Sequence, residues 1–105
     1  MADNDRIDAL FDAYRGEIAA RSPKSLDAWQ RNRTVMPAGV GSVFRLADPF
    51  PMVVKRAKGA RIWDVDDNEY LDFMLGFSVM ILGNAPEEVE KAIVDFYYER
   101  GYVRN

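Results

Sequence analysis

Lys58-Gly59-Ala60-Arg61-Ile62-Trp63-Asp64-Val65-Asp66-Asp67-Asn68-Glu69-Tyr70-Leu71-Asp72-Phe73 is the stretch on which the fold turns. Two turn signals divide it. Lys58-Gly59 supplies a tight turn, because glycine takes a positive φ without a Cβ clash. Asp66-Asp67-Asn68 supplies a second, from residues that tolerate the left-handed region. The segments they separate read as strands over Met52 to Ala57, Ala60 to Val65 and Glu69 to Phe73, which makes a three-stranded antiparallel meander.

Toward the C-terminus, Leu71 to Leu82 is almost wholly apolar around Gly76 and Ser78, a composition expected where a segment is covered on both sides. Gly83-Asn84-Ala85-Pro86 then turns the chain. Glu87 and Glu88 favour the first turn of a helix, Val89, Ala92, Ile93, Phe96 and Tyr97 are expected to form its buried face, and Gly101 is a natural stop.

Toward the N-terminus, Met36 to Pro51 has no sustained period, and its prolines and glycines mark a loop with a specific path. Ser22-Pro23 reads as a helix start, with serine as cap and proline in the first helical position, and Leu26, Trp29 and Arg33 share a face of that helix. Before it, Ile7, Leu10, Phe11, Tyr14 and Ile18 form one apolar stripe on a helix from about Asp5 to Ala20, with Asp3 or Asn4 as cap. The three segments expected are thus an N-terminal helical part (1–36), a loop (37–51), and a part with ribbon, apolar segment and helix (52–105). These pieces do not close into a convincing domain: the segment from Met74 to Leu82 is too apolar for so small a body to hide, and left alone it is an association site.

Composition bounds the chemistry. The 105 residues suffice for one small domain, and 49% hydrophobic with 30% charged residues is a globular balance. The net charge of -3 gives no general reason to bind nucleic acid or an anionic membrane. The acidic run Asp3, Asp5, Asp8 and Asp12 reads as a solvated helix face. Without cysteine or histidine the chain builds no disulfide, no thiolate nucleophile, no Ser-His-Asp triad and no Cys or His metal site. The acidic Met1 to Asp5 is no signal peptide, and no apolar run approaches the ~20 residues of a membrane helix, so a cytoplasmic location is the default. Asp64, Asp66, Asp67 and Asp72 lack the glycine and final glutamate of a calcium loop and fit a hairpin turn. Trp63, Tyr70 and Phe73 fit a core better than a base-stacking platform.

Three strings, in order, resemble a known family. Met36-Pro37-Ala38-Gly39-Val40-Gly41-Ser42-Val43-Phe44-Arg45 looks like the Pro-Gly-Gly-Val-x-Ser-x-x-Arg loop of glutamate-1-semialdehyde aminomutases and related enzymes. The stretch from Lys58 to Phe73 resembles the ribbon of class-III aminotransferases, with Asp67 where glycine is usual. Met80-Ile81-Leu82-Gly83-Asn84-Ala85-Pro86 is similar to a segment that usually reads Leu-Gly-His-x-His-Pro, with Asn84 in place of the first histidine. The resemblance covers nearly all of the chain from about Leu26. It implies an α/β fold: the N-terminal segment and partial small domain of a fold type I pyridoxal-phosphate enzyme, an aminotransferase or aminomutase that acts on amino or keto acids as a homodimer. The Schiff-base lysine, the phosphate-binding loop and the acid on the pyridine nitrogen of such an enzyme have no match here, and Lys24, Lys55, Lys58 and Lys91 read as surface or ribbon lysines. No catalytic or cofactor-binding residue is therefore expected in this chain, and its partner is the remainder of the enzyme or a separate large-domain chain. The alternative is a small split or remnant protein that docks on a larger enzyme chain.

Three residues stand out as substrate-binding candidates. Arg45 matches the arginine that in this family can reach the substrate's carboxylate, a task suited to a planar, always charged guanidinium; otherwise it is a surface arginine. Ser42 either donates a hydrogen bond to substrate or bonds its own turn. Phe77 stands where the aminomutase branch carries a tryptophan near the substrate, and is either a pocket wall or ordinary packing.

Overall fold

The computed structural model describes residues 2–101, with side chains described from Asn4 onward. The chain forms two compact units. One comprises the residues up to Lys55 together with Trp63–Asn68, the other Arg56–Ile62 together with the residues from Glu69. Strands β1 (Val54–Lys58), β2 (Arg61–Asp64) and β3 (Glu69–Leu71) form a three-stranded sheet in the order β1-β2-β3. The antiparallel meander is thus present, with strands shorter than their hydrophobic patterns. Gly59 and Asp67 hold φ of 56° and 69° in the two connecting turns, so the aspartate takes up the conformation that the family's glycine would favour.

In the first unit, helix α1 spans Ala2–Arg21 and α2 spans Pro23–Asn32. Because α1 starts earlier than its apolar stripe, Asn4 lies inside the helix; the Asp3 cap falls outside the described side chains. Ser22 is the residue at the N-cap of α2 and Pro23 takes the first helical position, but the Ser22 hydroxyl makes no capping bond. The cap comes from the β2–β3 turn instead. The Asp66 carboxylate accepts the N–H groups of Lys24 (2.9 Å) and Ser25 (3.0 Å), and so satisfies two donors of the first helical turn. The turn that supplies this carboxylate is built around Asp64, whose side chain is 0% exposed. One Asp64 oxygen accepts the N–H groups of Asp66 (2.9 Å) and Asn68 (2.8 Å). The other accepts from the Asn68 side-chain amide (2.9 Å) and, more weakly, from the Ser22 hydroxyl (3.4 Å). Buried Ser25 in turn accepts the Val53 N–H at 3.3 Å. Polar groups therefore fill the centre of this unit. Phe50, 5% exposed, is the one large hydrophobic side chain that is buried among the described residues.

In the second unit, a four-residue helical turn α3 (Leu75–Ser78) precedes helix α4 (Glu87–Arg100), which Gly101 ends with φ of 73°. Leu75, Gly76, Phe77 and Ser78 all have positive φ, a left-handed turn that neither helix nor strand periodicity encodes. The apolar run is therefore not the doubly covered segment that its composition suggests. Phe73 (89%), Ile81 (86%) and Val79 (75%) are bare, and Phe73 is no core residue of the ribbon. The expected buried face of α4 is corrected too: Val89, Ala92, Ile93, Phe96 and Tyr97 are all exposed. The stripe of α1 is likewise open at Ile7, Leu10, Phe11 and Tyr14, with Ile18 half-buried. The periodicity identified these helices correctly. A buried face needs in addition a surface to cover it, and over most of these two stripes the described residues supply little.

Candidate functional site

Ser42 and Arg45 lie in one turn. Ser42 is the extended residue before a short 3-10 turn, Val43–Arg45, and its carbonyl accepts the Arg45 N–H at 3.0 Å. Ser42 is half-buried and Arg45 is exposed, so the guanidinium is open to a ligand. The loop that carries them is held at three points. Near its start, the Trp29 indole N–H donates to the Ala38 carbonyl at 3.0 Å. Near its end, the Trp29 ring stacks on Phe50 with ring centres 6.3 Å apart and planes inclined by 26°. Between these, the Arg15 guanidinium on α1 grips Asp48 with two nitrogens, Nε at 2.9 and 3.1 Å and another nitrogen at 2.9 Å, and also bonds Asp12 at 3.0 Å. The bonds to Asp48 and then Asp12 hold the Arg15 pKa above its usual value.

Gly39 shows how closely the loop lies against α2. Its φ is 74°, and a Cβ there would stand 2.8 Å from both Arg33 Cγ and Trp29 Cδ1. Ala38 beside it holds φ of 54°, where the resembling loop has glycine. The Arg33 guanidinium lies 5.0 Å from the centre of the Trp29 ring system. Residue spacing alone grouped Trp29 with Leu26 and Arg33 on one helix face. That its indole bonds the loop backbone is a signal that spacing does not carry.

Phe77 is placed in the second unit, in the left-handed turn, and its side chain is 65% exposed. Asp72 and Asn84 fasten the base of the segment around it. The Asn84 side-chain amide donates to Asp72 Oδ2 at 2.9 Å and to the Gly59 carbonyl at 3.2 Å, while the backbones of Gly59 and Asn84 exchange two bonds of 2.7 and 2.8 Å. The other Asp72 oxygen accepts the N–H groups of Met74 (3.0 Å) and Leu75 (2.9 Å). Donation from Asn84 first, then from the Leu75 and Met74 amides, holds the Asp72 carboxyl below the usual carboxylate range. Asn84 thus has a definite task at the position where the resembling motif has histidine.

All four lysines are exposed. Lys55 lies 2.7 Å from Asp67, Lys58 donates to the Ala85 carbonyl at 3.1 Å, Lys91 pairs with Asp95, and Lys24 is in the first turn of α2. None of them is the desolvated amine that Schiff-base chemistry uses.

Comparison with known proteins identifies the frame around these residues. The family model for aminotransferase class-III matches residues 43–98. The glutamate-1-semialdehyde 2,1-aminomutase of Methanopyrus kandleri is 44% identical over 73 residues, which are 70% of this chain and 17% of that protein. The aminomutase of Methanococcoides burtonii is 42% identical over 72 residues, 69% of this chain and again 17% of the relative. Among solved structures, a glutamate-1-semialdehyde aminomutase from Pseudomonas aeruginosa superposes with a TM-score of 0.82 at 30% identity, covering 90% of this chain and 21% of that one. A β-phenylalanine aminotransferase from Variovorax paradoxus, at 22% identity, shares the fold with a TM-score of 0.86 over 90% of this chain and 22% of its own. The chain therefore spans about a fifth of the length of the proteins it matches, as a partial segment of the fold type I architecture. With the family pattern running through the Arg45 turn, the ribbon, the Phe77 segment and most of α4, the chain belongs to the class-III aminotransferase family.

Proposed function

We propose that this chain supplies the substrate-side surface of a pyridoxal-phosphate-dependent aminotransferase or aminomutase, and is not catalytically complete alone. The observation that carries this reading is the exposed Arg45 guanidinium, which lies inside the stretch that matches the family, on a loop anchored by Trp29. Arg45 binds the carboxylate of an amino or keto acid through two parallel hydrogen bonds from its planar guanidinium. Ser42, one turn before it, donates a hydrogen bond to the same substrate, and Phe77 forms an apolar wall. Loop 37–51 is then the substrate-side element between a helical segment (1–36) and the part of the small domain formed by 52–105. The cofactor, which supplies the electron sink for bond cleavage at the substrate's α-carbon, is held by the remainder of the enzyme or by a separate large-domain chain, and the complete enzyme is a cytoplasmic homodimer. No described helix is long and apolar enough to cross a membrane. In the complete enzyme, Arg45→Ala raises KM for a carboxylate-bearing substrate about a hundredfold, with little change in pyridoxal-phosphate affinity. Equal binding of that substrate without Arg45 removes the assignment.

The bare apolar segment around Phe73, Val79 and Ile81 favours a second reading, in which the chain acts as a small split or remnant protein on a larger enzyme chain. Co-purification separates the two readings: a split protein emerges as a 105-residue chain with a defined larger partner, whereas the first reading gives this sequence within one long polypeptide.

A further inference from the structure

We propose that Trp29 is the positioning residue of the Arg45 loop, so that one indole decides how well the site holds a carboxylate. This rests on the reading of Arg45 as the carboxylate-binding group. Trp29 lies on α2, outside the stretch that matches the family, yet it touches the loop on both sides of Arg45. Its N–H fixes Ala38, seven residues before Arg45, and its ring stacks on Phe50, five residues after. The loop between is short and its two ends meet the same rigid ring. The freedom left to the turn at Val43–Arg45 is therefore set by how firmly that ring is held.

Trp29 is held on its other sides. The Arg33 guanidinium lies 5.0 Å from its ring system, and Gly39 sits against the indole with no room for a Cβ, which would stand 2.8 Å from Trp29 Cδ1. Phe50, its stacking partner, is the buried apolar side chain of this unit. An exposed arginine on an unanchored loop pays the entropy of ordering both side chain and backbone when it takes up a ligand, whereas an anchored loop loses only side-chain freedom. Arg15 on Asp48 adds a restraint near one end, but neither Arg15 nor Asp48 reaches the start of the loop at Ala38. Trp29 spans both ends.

The experiment compares Trp29→Phe, which keeps a ring against Phe50 and removes the N–H, with Trp29→Leu, which removes both. In the 105-residue chain, amide exchange reports the loop directly. Trp29→Leu is expected to speed exchange at Gly39, Arg45 and Leu46 about tenfold, while Lys24 and Ser25, held by Asp66, keep their protection. Trp29→Phe shows the acceleration mainly at Gly39. Unchanged exchange at Arg45 and Leu46 in Trp29→Leu overturns the proposal. If Trp29→Leu also frees Lys24 and Ser25, the helix itself has opened, and Trp29→Phe decides: acceleration at Gly39 supports the proposal and none overturns it. In the complete enzyme, Trp29→Leu is expected to raise KM for a carboxylate-bearing amino donor about tenfold with kcat retained, to leave a carboxylate-free amine donor unaffected, and to add nothing in an Arg45→Ala background. A full additive loss in that background overturns the proposal while the reading of Arg45 stands. An inert Arg45→Ala removes that reading, and amide exchange still decides whether Trp29 holds the loop.

Discussion

The Asp66 carboxylate lies 3.0 Å from the backbone nitrogen of Ser25, and caps a helix more than forty residues away in sequence. Ser22, the residue that the sequence offers as cap, directs its hydroxyl to Asp64 instead. The capping free energy of α2 is thus a tertiary contact, and it couples the helix that carries Trp29 to the turn after β2.

Asp66→Ala should lower stability by about 1 kcal/mol, the usual worth of an N-cap, whereas Ser22→Ala should cost less than a cap normally does. Urea unfolding of both variants, followed by far-UV circular dichroism, checks the order. A larger loss from Ser22→Ala would show that the hydroxyl, rather than Asp66, governs the start of the helix.

Asp64→Ala is expected to cost more, about 3 kcal/mol, because it strands the N–H groups of Asp66 and Asn68 in a half-buried turn and releases the Asn68 side chain. The Asp66 cap should fail with it, so the double variant Asp64→Ala/Asp66→Ala should be little worse than Asp64→Ala alone. Additive losses in a double-mutant cycle would separate the two carboxylates.

Gly59 and Gly83 both hold positive φ, yet their surroundings differ. A Cβ on Gly59 meets nothing within 4 Å, while one on Gly83 would stand 2.9 Å from the Gly59 carbonyl oxygen. Gly59→Ala should therefore cost about 1 kcal/mol from backbone strain alone. Gly83→Ala should cost roughly 2 kcal/mol or more, since it also pushes Asn84 away from Gly59. Thermal melting of the two variants gives the comparison, and equal losses would refute the close approach.

The depressed Asp72 carboxyl predicts an acid-sensitive segment. A carboxylate whose folded pKa lies below its unfolded value contributes stability above the unfolded pKa, and that contribution is lost as pH falls through the folded pKa. Amide protection at Met74 and Leu75 should be constant near neutrality and fall away from about pH 4 downward. Asp72→Asn should abolish this acid step and lower protection at neutral pH. Persistence of the step in that variant would assign it to another group.

Much of the local structure was legible in the sequence because it depends on neighbours along the chain. Ser22-Pro23 marks the start of α2, Gly101 ends α4, and Gly59 and Asp67 sit in the turns between strands. What was not legible depends on groups distant in sequence or on none at all. Trp29 reads as one more aromatic on a helix face until its N–H is found on Ala38. The acidic turn reads as a hairpin, which it is, but its role as the cap of α2 lies in contacts from Asp66 back to Lys24 and Ser25. Phe77 belongs to a left-handed turn that three non-glycine residues help to form, a conformation that no residue preference announces. The site candidates Ser42 and Arg45 were legible as one loop because both lie within a single turn.

The polar centre of the first unit has a calorimetric consequence. Unfolding a globular protein usually raises the heat capacity by about 12–15 cal/mol/K per residue, because apolar surface becomes hydrated. Here the faces of α1 and α4 and the segment around Phe77 are already wet, while Asp64, Ser22, Ser25 and Asn84 are among the buried groups. Exposing polar groups lowers the heat capacity instead. The chain by itself should therefore melt with a smaller heat-capacity step and a shallower denaturant slope than its length implies, and association with whatever covers those faces should bring a large negative heat-capacity change of its own.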